Sequence, residues 1–309
     1  MRSTTRRAAL DAVTDPSRRA VERWAWALLA ANTLIILTGG LVRLTGSGLG
    51  CPTWPRCTEE SFVPHRELGW HGVIEFGNRL LTYVLIAVAL ATVVAVWRWS
   101  TGRSLRALVV VLAAGIPLQG VIGGITVLTD LNPWVVALHL VLSLGLVAGS
   151  TLLLVRVRGG LAAVPRPALR AVLLAVYGVL WVVVYLGTVV TGSGPHAGDA
   201  DSPRNGLDPA FWSHVHAWGV YVLVALTVLA LVLARGTAAA APTAWLLVAE
   251  LGQGTIGFVQ YYTDLPVALV AAHLVGAAVL VALGTRALLA SLGAPSGREA
   301  AREPVSAPG

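Results

Sequence analysis

The sequence predicts an all-α integral membrane protein, with eight transmembrane helices arranged as two pseudo-symmetric four-helix bundles. Composition, the placement of arginine and an internal repeat carry that prediction. The 309 residues are 56% hydrophobic and only 12% charged, too little charge to cover the surface of a water-soluble protein of this length. Several apolar runs reach or approach the roughly 20 residues that a helix needs to cross the hydrocarbon core, and a helix satisfies its own backbone where lipid cannot. A net charge of +7 could suit nucleic acid. Every basic residue is arginine, however, and nearly all lie between the apolar runs, the pattern that sets membrane topology.

Spans are expected at about 24–43, 72–97, 107–128, 134–155, 171–190, 211–234, 244–262 and 267–289. With the amino terminus inside, seventeen arginines fall on the cytosolic side and four (Arg43, Arg56, Arg66 and Arg204) outside, while Arg79 lies within a span. That bias predicts a cell-membrane protein with both termini cytosolic. Residues 1–23 carry six arginines and no apolar core, so they read as a cytosolic tail rather than a signal peptide. Residues 291–309, rich in Ala, Gly, Pro and Ser, read as a disordered cytosolic tail.

The halves repeat. Gln119-Gly120-Val121-Ile122-Gly123 recurs as Gln253-Gly254-Thr255-Ile256-Gly257, Asp130-Leu131 as Asp264-Leu265 and His139 as His273, all shifted by the same 134 residues. Thr45-Gly46-Ser47-Gly48 likewise matches Thr191-Gly192-Ser193-Gly194. Polar residues are costly in lipid and would not recur at fixed spacing through composition alone. Four spans per half make this a parallel repeat about the membrane normal. The expected division is a bundle over 24–158 and a second over 159–290.

Ionisable residues inside a membrane are functional candidates by default. Here they are Glu75, Arg79, His139, His214, His216, Glu250 and His273, with Asn78, Gln119 and Gln253 beside them. His139, His216 and His273 fall roughly 8–10 Å below the outer boundary at 1.5 Å per residue. Histidines at one depth on different helices suit axial ligation of haem iron in a bundle core. His216 and His273 form the natural pair of the second half. His216 is preferred to His214 because the repeat places it opposite Asn78. His65, His71 and His196 belong with the external loops and line the mouth. Glu75 and Arg79, spaced i and i+4, admit two readings: an ordinary ion pair, or a carboxylate that delivers protons to an oxidation site near His139. Cys51 and Cys57, the only cysteines, share an external loop on the oxidising side, which predicts a disulfide, either a structural staple or a redox-active bridge.

Taken together, the Gly-Leu-Val-Arg43-Leu-Thr-Gly-Ser-Gly-Leu run, the Cys51-Pro-x-Trp-Pro-x-Cys57 loop, and His-Gly-Val-Ile-Glu75-Phe-Gly-Asn78-Arg79 resemble the haem A synthase family. The Gln-Gly-x-Ile-Gly and Asp-Leu segments and the paired histidines match as well. The resemblance spans roughly 24–289. It implies an enzyme that oxidises the C8 methyl group of haem O, its substrate, to the formyl group of haem A for cytochrome oxidase assembly. It also implies resident haem b on His216 and His273, and a substrate site in the first bundle with Glu75 and His139 as catalytic residues. Haem O synthase and an electron donor are the implied partners, with a homo-oligomer left open. Arg43 and Arg79 are candidate propionate partners. The family's second span often reads Glu-x-x-His where this chain has Glu75-x-x-Asn78, so His139 is expected to ligate the substrate iron alone, leaving the other face open or weakly occupied. The rival reading is a non-catalytic b-type membrane cytochrome fed by quinol. It is disfavoured because all the candidate ligands lie near one face.

Overall fold

A computed structural model describes residues 16–294. Eight long α-helices account for the described chain: α1 (Arg18–Leu44), α2 (Gly69–Trp99), α3 (Arg103–Leu128), α4 (Pro133–Val157), α5 (Pro167–Ser193), α6 (Pro209–Ala234), α7 (Ala240–Tyr262) and α8 (Val267–Leu292). A 3-10 turn (Arg66–Leu68) leads into α2.

Local chemistry sets the helix starts. Pro133, Pro167 and Pro209 occupy the first turns of α4, α5 and α6, where a missing N–H costs nothing. Asn132 and Asp208 accept from the backbone N–H groups of Trp134 (3.0 Å) and Ala210 (2.9 Å), and Ser17 caps α1. Because of that cap, α1 begins at Arg18, inside the stretch expected as tail. The far helix likewise runs to Leu292, and Ala294 pairs with Leu161, so the expected disorder does not begin at 291. The rest of both expected tails, residues 1–15 and 295–309, lies outside the described residues.

Seven of the eight helices are long and apolar enough to cross a membrane by themselves. The exception, α7, carries Glu250, Gln253 and three glycines. Its two most polar side chains, Glu250 and Gln253, point into the protein rather than outward, so neighbouring helices tolerate what lipid would not. Large apolar side chains such as Val111, Val182, Trp218 and Tyr262 cover the outside, as expected for a surface solvated by hydrocarbon.

In the first half α1 packs on α2 and α4, and α3 closes the ring between α2 and α4. In the second half α5 packs on α6 and α8, and α7 closes the equivalent ring. Contacts between halves are themselves symmetric: α4 meets α8, while α1 on α8 mirrors α5 on α4. One apolar core fills the first ring and takes in Ala278 and Val281 of α8. A second fills the other ring.

The backbone repeats too. Asp130 and Leu131 hold φ of 52° and 58°, and Asp264 and Leu265 both hold 57°. In each turn the leucine N–H reaches back five residues, to Thr126 O at 2.8 Å and to Gln260 O at 2.9 Å. Two consecutive left-handed non-glycine residues are unusual, and their recurrence supports duplication independently of sequence identity.

Candidate functional site

His139 lies six residues past the start of α4, His273 six past the start of α8 and His216 seven past the start of α6. All three therefore sit about 9–10 Å inside the end of the bundle that the arginine distribution assigns to the outside.

The second-half pair comes together. The rings of His216 and His273 are 6.5 Å apart between centroids and inclined at 69°. A metal bonded at about 2.0 Å to one nitrogen of each ring would hold the centroids about 6 Å apart, so the spacing fits a bis-histidine haem iron. The Nδ1 of His216 lies 3.0 Å from Val183 O. A carbonyl only accepts, so Nδ1 carries the proton and Nε2 keeps its lone pair for a metal. His273 has a buried Nδ1 without a partner among the described residues. A Cβ built at Gly187 would lie 3.2 Å from His216 Cε1, and one at Gly257 would lie 3.4 Å from His273 Cε1. Glycine at each position lets the ring come close to the neighbouring helix. Among the described residues no group of three or more His, Cys, Asp or Glu side chains converges, so this donor set suits an iron already held by a macrocycle rather than a bare ion. His214 faces elsewhere, with Nδ1 2.7 Å from Ala210 O and its ring against Tyr261.

The first half repeats part of this arrangement. Gln119 donates from Nε2 to His139 O at 3.1 Å, as Gln253 does to His273 O at 2.8 Å. Gly123 meets His139 Cε1 as Gly257 meets that of His273. Where the second half has His216 against Gly187, the first has Asn78 Nδ2 3.9 Å from the Cβ position of Gly39. Asn78 Oδ1, Gln119 Oε1 and His139 Nδ1 are all buried without protein partners among the described residues. Buried polar atoms left without partners are costly unless a ligand answers them, and a polar-edged macrocycle with a bound metal could do so.

Glu75 and Arg79 form the ion pair, at 2.5 Å from Oε1 to Nη2 and 3.1 Å from Oε1 to Nε. They also hold the cysteine loop: Glu75 Oε2 accepts from Cys51 N at 2.7 Å, while Arg79 donates to Cys51 O, Thr53 O and Arg56 O, each at 3.0 Å. In this structure all five N–H groups of the Arg79 guanidinium are thereby engaged by protein oxygens. Arg43 also binds protein, donating to His196 O at 2.5 Å and Thr191 O at 2.9 Å. It ties the first helix to the loop of the second half.

Cys51 and Cys57 form the expected disulfide, and both are fully buried. The loop they close sends Trp54 onto α3, where its indole occupies the space a side chain at position 124 would need. Gly124 adjoins Gly123, but one residue turns a helix by about 100°, so Trp54 and His139 meet different faces of α3. Sequence reading missed this wedge. The signal for it was present in the Gly-Gly pair of the first half, which the repeat replaces by Gly257-Phe258. The outer loops of the two halves touch through Gly48 N to Gly198 O at 2.9 Å, and between them opens a cavity of about 410 Å³ lined by His71 and Asp199 among others. His71 bonds Ser47 Oγ at 2.9 Å, and His196 donates to Leu265 O at 3.0 Å.

The family described as cytochrome oxidase assembly protein, COX15-CtaA, matches residues 22–72 and 70–285. The chain is 27% identical to a heme A synthase of Bradyrhizobium diazoefficiens over 94% of this chain and 97% of that one. It is also 27% identical to a heme A synthase of Rhodopseudomonas palustris, over 82% and 84% of the two chains. A heme A synthase of Bacillus pumilus is 37% identical over a shorter stretch, 36% of each chain.

Proposed function

Because the chain belongs to the COX15-CtaA family of cytochrome oxidase assembly proteins, we propose that it acts in haem A biosynthesis, oxidising the C8 methyl group of haem O to the formyl group of haem A. The observation that carries this reading is the unequal repeat. One half has two histidine rings at metal-bridging distance. The other has a single histidine, His139, and in place of the second an asparagine, Asn78, whose buried Oδ1 has no partner among the described residues. A resident cofactor needs the first arrangement, and a substrate that must enter and leave suits the second.

In this reading His216 and His273 hold haem b, with the Val183 carbonyl fixing the His216 tautomer. The bound haem supplies one-electron chemistry. His139 holds the substrate iron, and Asn78 faces it from α2. In each of two successive hydroxylations one O2, two electrons from the donor and two protons would convert a C–H of the methyl carbon to C–OH with release of one water, and the geminal diol would then lose water to leave the aldehyde. Glu75 serves this site as its carboxylate, poised by Arg79 and the Cys51 N–H. Arg43 and Arg79 are the candidates to meet the haem propionates. The topology that accompanies this reading has both termini cytosolic and both haem sites near the outer face, with haem O synthase and an electron donor as partners.

The test is expression together with haem O synthase, followed by extraction and chromatography of haems. Haem A formed by the intact chain and lost in Glu75→Ala and His139→Ala, with haem b retained in both, is the expected result. Persistent haem b without haem A from the intact chain would instead support a b-type cytochrome and overturn the proposal.

A further inference from the structure

One buried carboxyl has no part in the mechanism above. Glu250, midway along α7, is 2% exposed. Its Oε1 accepts from Thr227 Oγ1 on α6 at 2.8 Å, and its Oε2 has no partner among the described residues. The 134-residue shift places Ile116 at the equivalent point of the first half, where it is equally buried. The space thus accepts a plain aliphatic side chain, and packing alone does not call for a carboxyl there. Three residues on, Gln253 shares its face and bonds the backbone of His273, with its own Oε1 also unpartnered. A polar file therefore runs from mid-helix toward the cofactor site; the first half keeps its glutamine as Gln119 but has Ile116 in place of the carboxyl.

Resting on the haem b assignment above, we propose that Glu250 is the proton-binding site coupled to electron arrival at the His216/His273 centre. When one electron from a quinol-class donor reduces the ferric iron, the Glu250 carboxylate binds one proton from the aqueous phase. Oxidation releases both. The added negative charge is then compensated inside a medium that solvates charge poorly. Other ionisable groups do not substitute for it. On α6, His214, His216 and Tyr221 lie six or more residues nearer the outer end than Thr227. On α8, only His273 and the exposed Arg286 can titrate, and neither bonds Glu250. Thr227 is eleven residues beyond His216, about 16 Å along the helix. At that separation and an effective dielectric of about 20, an electron changes the affinity of the carboxyl for its proton about fivefold. This corresponds to about 40 mV at 59 mV per tenfold.

The experiment is a potentiometric titration of the purified full chain with haem bound, repeated across the neutral pH range, with absorbance at the haem bands as readout. For the wild type the midpoint potential falls by about 40 mV as pH rises through the Glu250 transition. In Glu250→Gln, which keeps shape and haem, the potential no longer depends on pH there. Thr227→Val keeps the carboxyl but removes its hydrogen bond, so it retains the fall and shifts the pH at which it is centred. A pH dependence unchanged in Glu250→Gln, or absent from the wild type, overturns the proposal while leaving the haem assignment intact. Failure of the wild type to bind haem at all overturns both.

Discussion

Replacing Arg79 by methionine removes the one group that neutralises Glu75 and ties down the cysteine loop. An exposed i, i+4 pair contributes only about 0.3–0.5 kcal/mol. This pair is not exposed: the side chains are 19% and 7% accessible, and the guanidinium also serves three loop carbonyls. Breaking a buried pair from one side costs about 3–5 kcal/mol, because the other charge is left unanswered. Glu75 keeps the Cys51 N–H and can take up a proton, so the lower end of that range, about 3 kcal/mol, is expected. Glu75→Gln keeps the hydrogen-bonding shape and loses only the charge, which costs about 1–2 kcal/mol. The double variant should fall short of the sum of the two singles by about 2 kcal/mol, the usual scale of coupling between touching residues. Denaturant unfolding in detergent micelles, followed by tryptophan fluorescence with the disulfide intact, measures all four corners of the cycle. Additive costs, or an Arg79→Met protein within about 0.5 kcal/mol of the wild type, would refute the clamp.

Three other outcomes follow from the same geometry. Gly124→Phe, which copies the second-half residue, drives Trp54 off α3 and costs about 1–3 kcal/mol through overpacking; faster reduction of the Cys51–Cys57 bridge by added thiol reports the loosened loop. Gly187→Val pushes on the His216 ring and should convert a six-coordinate haem spectrum to a mixture with a ligand-free face, while Gly39→Val, beside Asn78, leaves that spectrum unchanged. Asp208→Ala removes the cap of α6 and lowers stability by about 1 kcal/mol, read as an earlier thermal transition with unaltered haem bands.

Much of this protein is legible in one dimension because a bilayer permits few solutions. Apolar length predicts the helices, and arginine placement predicts their order across the membrane. A repeat of Gln, Asp and His at constant shift identifies the two bundles and the depth of the histidines. Even α7, whose polar content hides it from a hydropathy criterion, is recovered through its likeness to α3. The helix ends are less legible, since caps and first-turn prolines extend several helices past their apolar runs.

What the tertiary structure decided concerns groups brought together from far along the chain. The sequence left Glu75 and Arg79 between an ion pair and a proton relay; packing showed that the pair forms and that its further bonds reach a loop more than twenty residues earlier. It also showed where the Arg79 guanidinium goes, because only three-dimensional contacts reveal that every donor reaches a protein oxygen. The 6.5 Å spacing of His216 and His273, the carbonyl that sets a tautomer and the wedge of Trp54 against Gly124 depend on helix crossings that no periodicity encodes. Periodicity records which face of a helix avoids lipid. Which atoms meet on the hidden face is settled by how the helices pack.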